Sequence, residues 1–286
     1  MEKLQKILDF VYYRHHNPEF DQPCLYAIVG ERKTLMIDGG VSTALARDFV
    51  DALKAETGRG VDFVVLTHWH WDHVFGLHAI DAPLLAGRNT AAHLKRMAGY
   101  SSWSDEALQK RLNTGEEIEF CARYIKKTYP GALRDSISIR QPDIVFNDSV
   151  TIELGGLCCD LLPLPAVHTN DSIAVSVPAE GLLFIGDSTG QNSYDAPIHY
   201  SAPKVRELFK WIRSHSPRLI MESHAEPASP EEFWEVNGVL EYAANAVLAG
   251  CHDKPGLTER LRQSCGGNLP EDGEEIIEFF LNGLGR

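Results

Sequence analysis

A chain of 286 residues with 44% hydrophobic content is long enough for one large α/β domain or two smaller ones, and rich enough in apolar residues for a buried core. Its 40 acidic against 27 basic residues give a net charge of −13, which disfavours nucleic acid as a partner. No run approaches the roughly 18 apolar residues that a membrane span needs, and the start Met1-Glu2-Lys3-Leu4-Gln5-Lys6 leads into no signal-like apolar core, so a cytoplasmic location without membrane contact is expected.

In chain order, a polar segment runs to about Gln22 and includes His15-His16, which read as surface or packing residues. Cys24-Leu25-Tyr26-Ala27-Ile28-Val29 and Lys33-Thr34-Leu35-Met36-Ile37-Asp38 then read as two strands around the turn Gly30-Glu31-Arg32, ending in Asp38-Gly39-Gly40. A helix follows, capped by Ser42 or Thr43, with Leu45, Phe49, Ala52 and Leu53 near helical spacing and Gly58 at its end. The six cysteines (Cys24, Cys121, Cys158, Cys159, Cys251, Cys265) form no C-x-x-C pair and read as reduced core thiols.

The apolar run Val61-Asp62-Phe63-Val64-Val65-Leu66 reads as a buried strand and feeds directly into Thr67-His68-Trp69-His70-Trp71-Asp72-His73. Four potential metal ligands thus fall within six residues. His68 and His70 are two apart and cannot share a helix face, but they can converge from a loop; Asp72 and His73 would open the next helix, with Asp72 as its N-cap. Imidazole nitrogens plus a carboxylate suit zinc, and also iron, nickel or manganese in a related geometry. A loop of solvated histidines is the bland alternative, and the full H-x-H-x-D-H form argues against it. This motif resembles the signature of the metallo-β-lactamase-fold superfamily.

After the motif the helix is expected to continue through Val74-Phe75-Gly76-Leu77, with Gly76 permitting a close approach. Many superfamily members carry two consecutive small residues here, so Phe75-Gly76-Leu77 is a partial match. His78 and His93 read as structural. The region at about 88–142 is mostly helical by composition and supplies no ligand cluster. It reads as an insertion, either a lid or pocket wall over the site or a supporting helical pair, and Trp103 and its neighbours are its candidate specificity residues. Strand signals return at Ile144-Val145-Phe146, Val150-Thr151-Ile152-Glu153-Leu154 and Cys158-Cys159-Asp160-Leu161-Leu162.

Three residues then match the superfamily's order. His168 stands before the strand Ile173-Ala174-Val175-Ser176-Val177 and resembles the third histidine. Asp187 ends Leu182-Leu183-Phe184-Ile185-Gly186-Asp187 and resembles the carboxylate that bridges two metals. His224 ends Arg218-Leu219-Ile220-Met221-Glu222-Ser223-His224 and resembles the last ligand. The resemblance runs from about Cys24 to Glu226. It implies an α/β fold of the αββα type, two mixed β-sheets face to face with helices outside, in a single domain over 1–286 with a helical C-terminal extension at about 229–286 that starts well at Pro230-Glu231-Glu232.

By the same resemblance His68, His70 and His168 hold one metal, Asp72, His73 and His224 hold the other, and Asp187 bridges them. Two zinc ions per chain are expected, with iron or manganese as alternatives. They would share a hydroxide nucleophile, and Asp72 would orient it or take up its proton as the catalytic residue. Asp38 is a candidate to orient a ligand histidine, with an ordinary turn-capping Asp as the alternative. Tyr194, His199 and Tyr200 are candidates to face the substrate, and Trp69 and Trp71 to wall an apolar pocket. The expected function is hydrolysis of a small carbonyl-centred substrate: an ester, thioester or lactone. A phosphodiesterase on a small phosphodiester and a diiron oxidoreductase of the same fold are the alternatives, and a noncatalytic binding protein would not need seven ligands. A true β-lactamase is disfavoured because Asp187 stands where one major branch has cysteine.

Overall fold

The computed structural model describes residues 3–286, so Met1 and Glu2, part of the start read above, lie outside the described residues. The elements are β1 (Gln5–Ile7), β2 (Val11–Arg14), β3 (Leu25–Val29), β4 (Thr34–Ile37), α1 (Thr43–Thr57), β5 (Phe63–Leu66), α2 (Trp71–Val74), β6 (Leu84–Gly87), α3 (Arg88–Ala98), α4 (Asp105–Thr114), α5 (Glu119–Thr128), β7 (Ile144–Phe146), β8 (Val150–Glu153), β9 (Cys158–Pro163), β10 (Ile173–Val177), β11 (Leu182–Gly186), α6 (Ala202–Ser214), β12 (Leu219–Glu222), α7 (Pro230–Leu248), α8 (Lys254–Ser264) and α9 (Gly273–Asn282). Strands β1 to β7 form a seven-stranded sheet in sequence order, antiparallel up to β4 and parallel from β4 to β7. The other sheet has five strands in the order β12, β11, β10, β9, β8, with only the β11–β12 pair parallel.

Alternation along the strands builds the layers. In β5, Val65 points into the space between the sheets, while Val64 and Leu66 point to the helices on the other face. Strand β11 does the same: Leu182 and Phe184 meet the first sheet, and Leu183 and Ile185 meet α6 to α9. Tyr26 and Phe184 touch edge to face at 5.2 Å across the gap. Both faces of each sheet are therefore covered, and the result is the expected αββα sandwich of two mixed sheets.

Several local expectations are corrected. The polar segment before Gln22 contains β1 and β2, which extend the first sheet at its edge. Asp72 does not cap a helix. The cap position is His70, and Asp72 lies in the first turn of α2 with its carboxylate turned to histidines. The helix also stops at Val74 and gives way to a separate turn at Leu77–Ala79. Gly76 makes its close approach there, because a Cβ on it would overlap the Gly39 carbonyl oxygen. Leu84–Gly87, unread in the sequence, is a strand, and it pairs with β7, which so belongs to the first sheet. Cys158 and Cys265 are exposed; the other four cysteines are buried and all six are free.

The tail packs as helices on the outer face of the second sheet, with Ser229 and Glu232 forming a reciprocal cap at the start of α7. No helix among the described residues is long and apolar enough to cross a membrane.

Candidate metal centre

Strand ends place the site. β5 delivers His68 and His70 on a loop and Asp72 and His73 on α2, while His168 stands before β10, Asp187 directly after β11 and His224 after β12. Two groups result: His68, His70 and His168 in one, Asp72, His73, Asp187 and His224 in the other, each with its ligand atoms within 4.8 Å of one another. Asp187 joins them. Its Oδ2 lies 3.6 Å from His68 Nε2, 3.8 Å from His168 Nε2, 3.2 Å from His73 Nε2 and 3.5 Å from His224 Nε2.

Hydrogen bonds behind the histidines fix which nitrogen faces the centre. The Thr67 hydroxyl donates its single proton to Asp38 (2.9 Å to Oδ2), so it accepts from His68 Nδ1 at 3.1 Å, and His68 Nε2 is left as a lone pair. His73 Nδ1 donates to Asp38 Oδ2 at 2.8 Å, and His168 Nδ1 donates to the Gln191 carbonyl at 2.9 Å. Asp38 therefore orients one histidine in each group, directly for His73 and through Thr67 for His68. It does so from a left-handed backbone, φ 60°, and accepts the Thr67 amide at 2.8 Å as well. The loop carrying His224 is held by the first sheet: Cys24 N–H donates to the Ser223 carbonyl at 2.6 Å, and His15 and Tyr13 both bond Glu226 beyond it.

The groups fit metal ions on their own chemistry. His68 Nε2 and Asp187 Oδ1 are buried with no hydrogen-bond partner, an arrangement that is costly unless something positive sits between them. His70 Nδ1 and His168 Nε2 meet at 2.8 Å although His168 Nδ1 already carries its proton to Gln191, which points both toward a common centre. Electrostatics divides the groups. Burial pushes His68, His70 and His168 below the ordinary imidazole range, so they are neutral and ready to ligate. Burial opposes charge on His73 and His224 too, but Asp72 and Asp187 outweigh it and hold both above that range, His224 at about 10. A metal entering the second group displaces those protons.

A cavity of about 380 Å³ opens onto both groups and is lined by His70, Asp72, His168, Asp187 and His224 on one side. Ile118, Phe120 and Cys121 from the start of α5 form its other wall, with Tyr194 and Ile198 from the loop after Asp187. Of the substrate candidates, Tyr194 is thus at the cavity. Its hydroxyl donates to Glu117 at 2.7 Å, and its ring leans on His70 and Trp69. His199 and Tyr200 are corrected to packing: His199 is buried with Nδ1 on the Pro197 carbonyl, and Tyr200 lies against Phe280. Trp71 is core, Trp103 packs on Phe75 away from the cavity, and Trp69 stacks on His93.

Two acidic residues at the site went unread. Asp21 lines the cavity from a left-handed turn, where burial and then the nearby Asp72 carboxylate push its carboxyl up to about 7. Glu117 is buried beneath Tyr194 and pushed up by that burial. Neither lies in a motif, and only the fold brings them near His224 and Tyr194.

The profile of the Metallo-beta-lactamase superfamily matches residues 20–219. The metallo-beta-lactamase fold-containing protein ST1585 of Sulfurisphaera tokodaii is 30% identical over 215 residues, 72% of this chain and 74% of that protein. The metallo-beta-lactamase family protein TTHA1429 from Thermus thermophilus superposes with a TM-score of 0.60 at 17% identity, covering 98% of this chain and 93% of its own. The sec-alkylsulfatase Pisa1 from Pseudomonas sp. shares the fold at a TM-score of 0.58 and 12% identity, over 95% of this chain and 46% of that one. With its two sheets, its strand-end histidines and the carboxylate between them, the chain belongs to the metallo-beta-lactamase superfamily.

Proposed function

We propose that this chain is a metal-dependent hydrolase with two zinc ions per chain, acting on a small carbonyl-centred substrate: an ester, thioester or lactone. The observation that carries the substrate class is the cavity itself. It spans both ligand groups, its far wall is Ile118, Phe120 and Ile198, and no Lys or Arg lines it. A phosphodiester in this cavity would find no lysine or arginine in its wall, whereas an apolar acyl compound finds a matching wall.

His68, His70 and His168 would hold one ion, Asp72, His73 and His224 the other, with Asp187 shared. Ions held there supply Lewis acidity and lower the pKa of water. Asp72 would take the proton of attacking water; in support, it borders the cavity with its Oδ2 3.0 Å from His73 Nε2 and 3.2 Å from His224 Nε2. Tyr194 offers a ring face, since its hydroxyl is committed to Glu117 and burial holds that hydroxyl in its protonated form. Ile118 and Phe120 give the apolar group of the substrate a wall to pack against.

The test is metal analysis of the purified protein, then kinetics on lactone, thioester, ester, β-lactam and phosphodiester panels. Two zinc ions per chain and the best kcat/KM on a carbonyl substrate are expected, and Asp187→Ala should lose at least one ion with most of the activity. A kcat/KM for bis-aryl phosphodiesters about a hundredfold above every carbonyl substrate, roughly 2.7 kcal/mol in barrier, would move the protein to phosphodiesterases.

A further inference from the structure

A second groove, about 370 Å³, meets the first at the metal residues. It shares His70, His168 and Tyr194 with the apolar cavity but has a different lining. Arg96 from α3 and Lys204 from α6 line it, and neither has an acidic partner within salt-bridge distance among the described residues. Of three cavities that reach the ligand groups among the described residues, this one is lined by Lys and Arg, and the other two carry Asp21, Glu119 and Glu222 instead. Its own acids compete little, because Asp195 pairs with Arg286 at 3.2 Å and Glu116 is exposed to solvent.

The position of Arg96 is set by aromatic stacking. Its guanidinium sits 4.9 Å over the Trp69 ring, and Trp69 in turn stacks on His93 and meets His70 edge to face at 4.8 Å. A continuous line of rings therefore runs from a metal residue to an unpaired fork of donors. Such a fork matches an oxyanion such as a carboxylate in two parallel hydrogen bonds. Tyr194, between the two spaces, divides an apolar side without cations from a polar side with two.

Resting on the hydrolase reading above, we propose that the substrate is bipartite: an apolar group on one side of the scissile bond fills the cavity walled by Ile118 and Phe120, and an oxyanion on the other side is held by Arg96 and Lys204. The acids of the apolar cavity repel that oxyanion, so the arrangement also sets the direction in which the substrate lies.

Both cations are exposed surface side chains, so Arg96→Gln and Lys204→Gln are compatible with folding. On the zinc-loaded protein, three esters are compared: phenyl hexanoate, 4-carboxyphenyl hexanoate and the monophenyl ester of adipic acid, which carry no anion, an anion on the leaving side and an anion on the acyl side. One anionic ester should exceed the neutral one in kcat/KM by about tenfold, and the double variant should lose that advantage. Equal rates for all three in the parent, or an advantage that survives in the double variant, overturns the inference while leaving the hydrolase reading in place.

A readout without turnover separates the two readings from the other side. Calorimetry with 4-hexyloxybenzoate and its neutral amide, neither of which has an ester, thioester or lactone bond, should give about tenfold tighter binding of the anion, or about 1.4 kcal/mol. That preference should vanish in the double variant. Loss of preference there would support the groove whether or not any ester is turned over, and absence of turnover would count against the hydrolase alone. A preference that persists would belong to the metals and would overturn it.

Discussion

Replacing Asp38 by Asn changes one carboxylate oxygen to an NH₂ and should loosen the group that contains His73. Asn tolerates the left-handed backbone that Asp38 adopts, at φ 60°, so the turn is kept and only the hydrogen-bond polarity changes. If the remaining oxygen keeps the Thr67 amide, the new NH₂ faces His73 Nδ1–H, donor against donor, where a 2.8 Å bond now stands. The Thr67 hydroxyl lies 3.0 Å from the retained oxygen and keeps it as acceptor, so the His68 side is disturbed less than the His73 side. If the amide flips instead, the clash moves to the buried Thr67 N–H. Either way at least one buried donor is left unsatisfied, at about 1–3 kcal/mol. At 1.4 kcal/mol per factor of ten this is about a ten- to hundredfold loss of metal affinity, the range typical when the partner behind a ligand is removed. Competition against a chromophoric chelator, with metal content measured after dialysis, gives the number. A D38N protein that holds two ions as tightly as the parent would refute the claim that Asp38 fixes the tautomers.

Gly76→Ala should cost about 3 kcal/mol in denaturant unfolding, since its Cβ would meet the Gly39 oxygen beside Asp38; a change within about 0.5 kcal/mol would show that the contact relaxes freely. Ile118→Ala with Phe120→Ala should raise KM for long-chain acyl substrates about tenfold at unchanged metal content, and loss of metal would show instead that this stretch supports the core. Burial pushes the Asp171 carboxyl up to about 6, so the folded chain binds that proton more tightly than the unfolded chain, whose value is near 3.8. Stability from this group is therefore fully present below about pH 4 and lost as pH rises through about 6, by about 3 kcal/mol. Asp171→Asn should flatten that part of the stability profile, and parallel profiles for the two proteins would contradict it.

The candidate ligands were legible because they follow strands whose apolar runs are unmistakable: β5 before His68, β11 before Asp187 and β12 before His224 each read as a buried strand that ends close to a His or Asp. The outer faces were legible for the same reason, since α1 and the capped start of α7 carry their signals within a few residues. What the sequence hid is long-range. Asp21 and Glu117 matter only through contacts with residues far along the chain, and no local pattern encodes these. The β1 and β2 strands were hidden by their shortness and by the charges around Val11-Tyr12-Tyr13-Arg14, a composition suited to a sheet edge. Asp72 misled as a cap because its residue type fits two roles, and three-dimensional proximity to His73 and His224 selected the other. His199 and Tyr200 shared the loop of Tyr194 but were turned inward by the packing of α9 against that loop, as the bond from Tyr200 N–H to the Phe279 carbonyl shows.

Neither metal group is complete within one sheet. His68 and His70 wait for His168, and Asp72 and His73 wait for Asp187 and His224, with the first set carried by the strand end of one sheet and the second by the other. An ion held here is accordingly a clasp between two layers that fold around separate strands. It binds the docked chain and has little to hold in a chain whose halves have not met, so at a hundredfold excess over its dissociation constant it adds about 2.7 kcal/mol to the assembled state alone. A chain with its sheets misaligned by one register would not bring Asp187 between four imidazoles and would forgo that stabilisation.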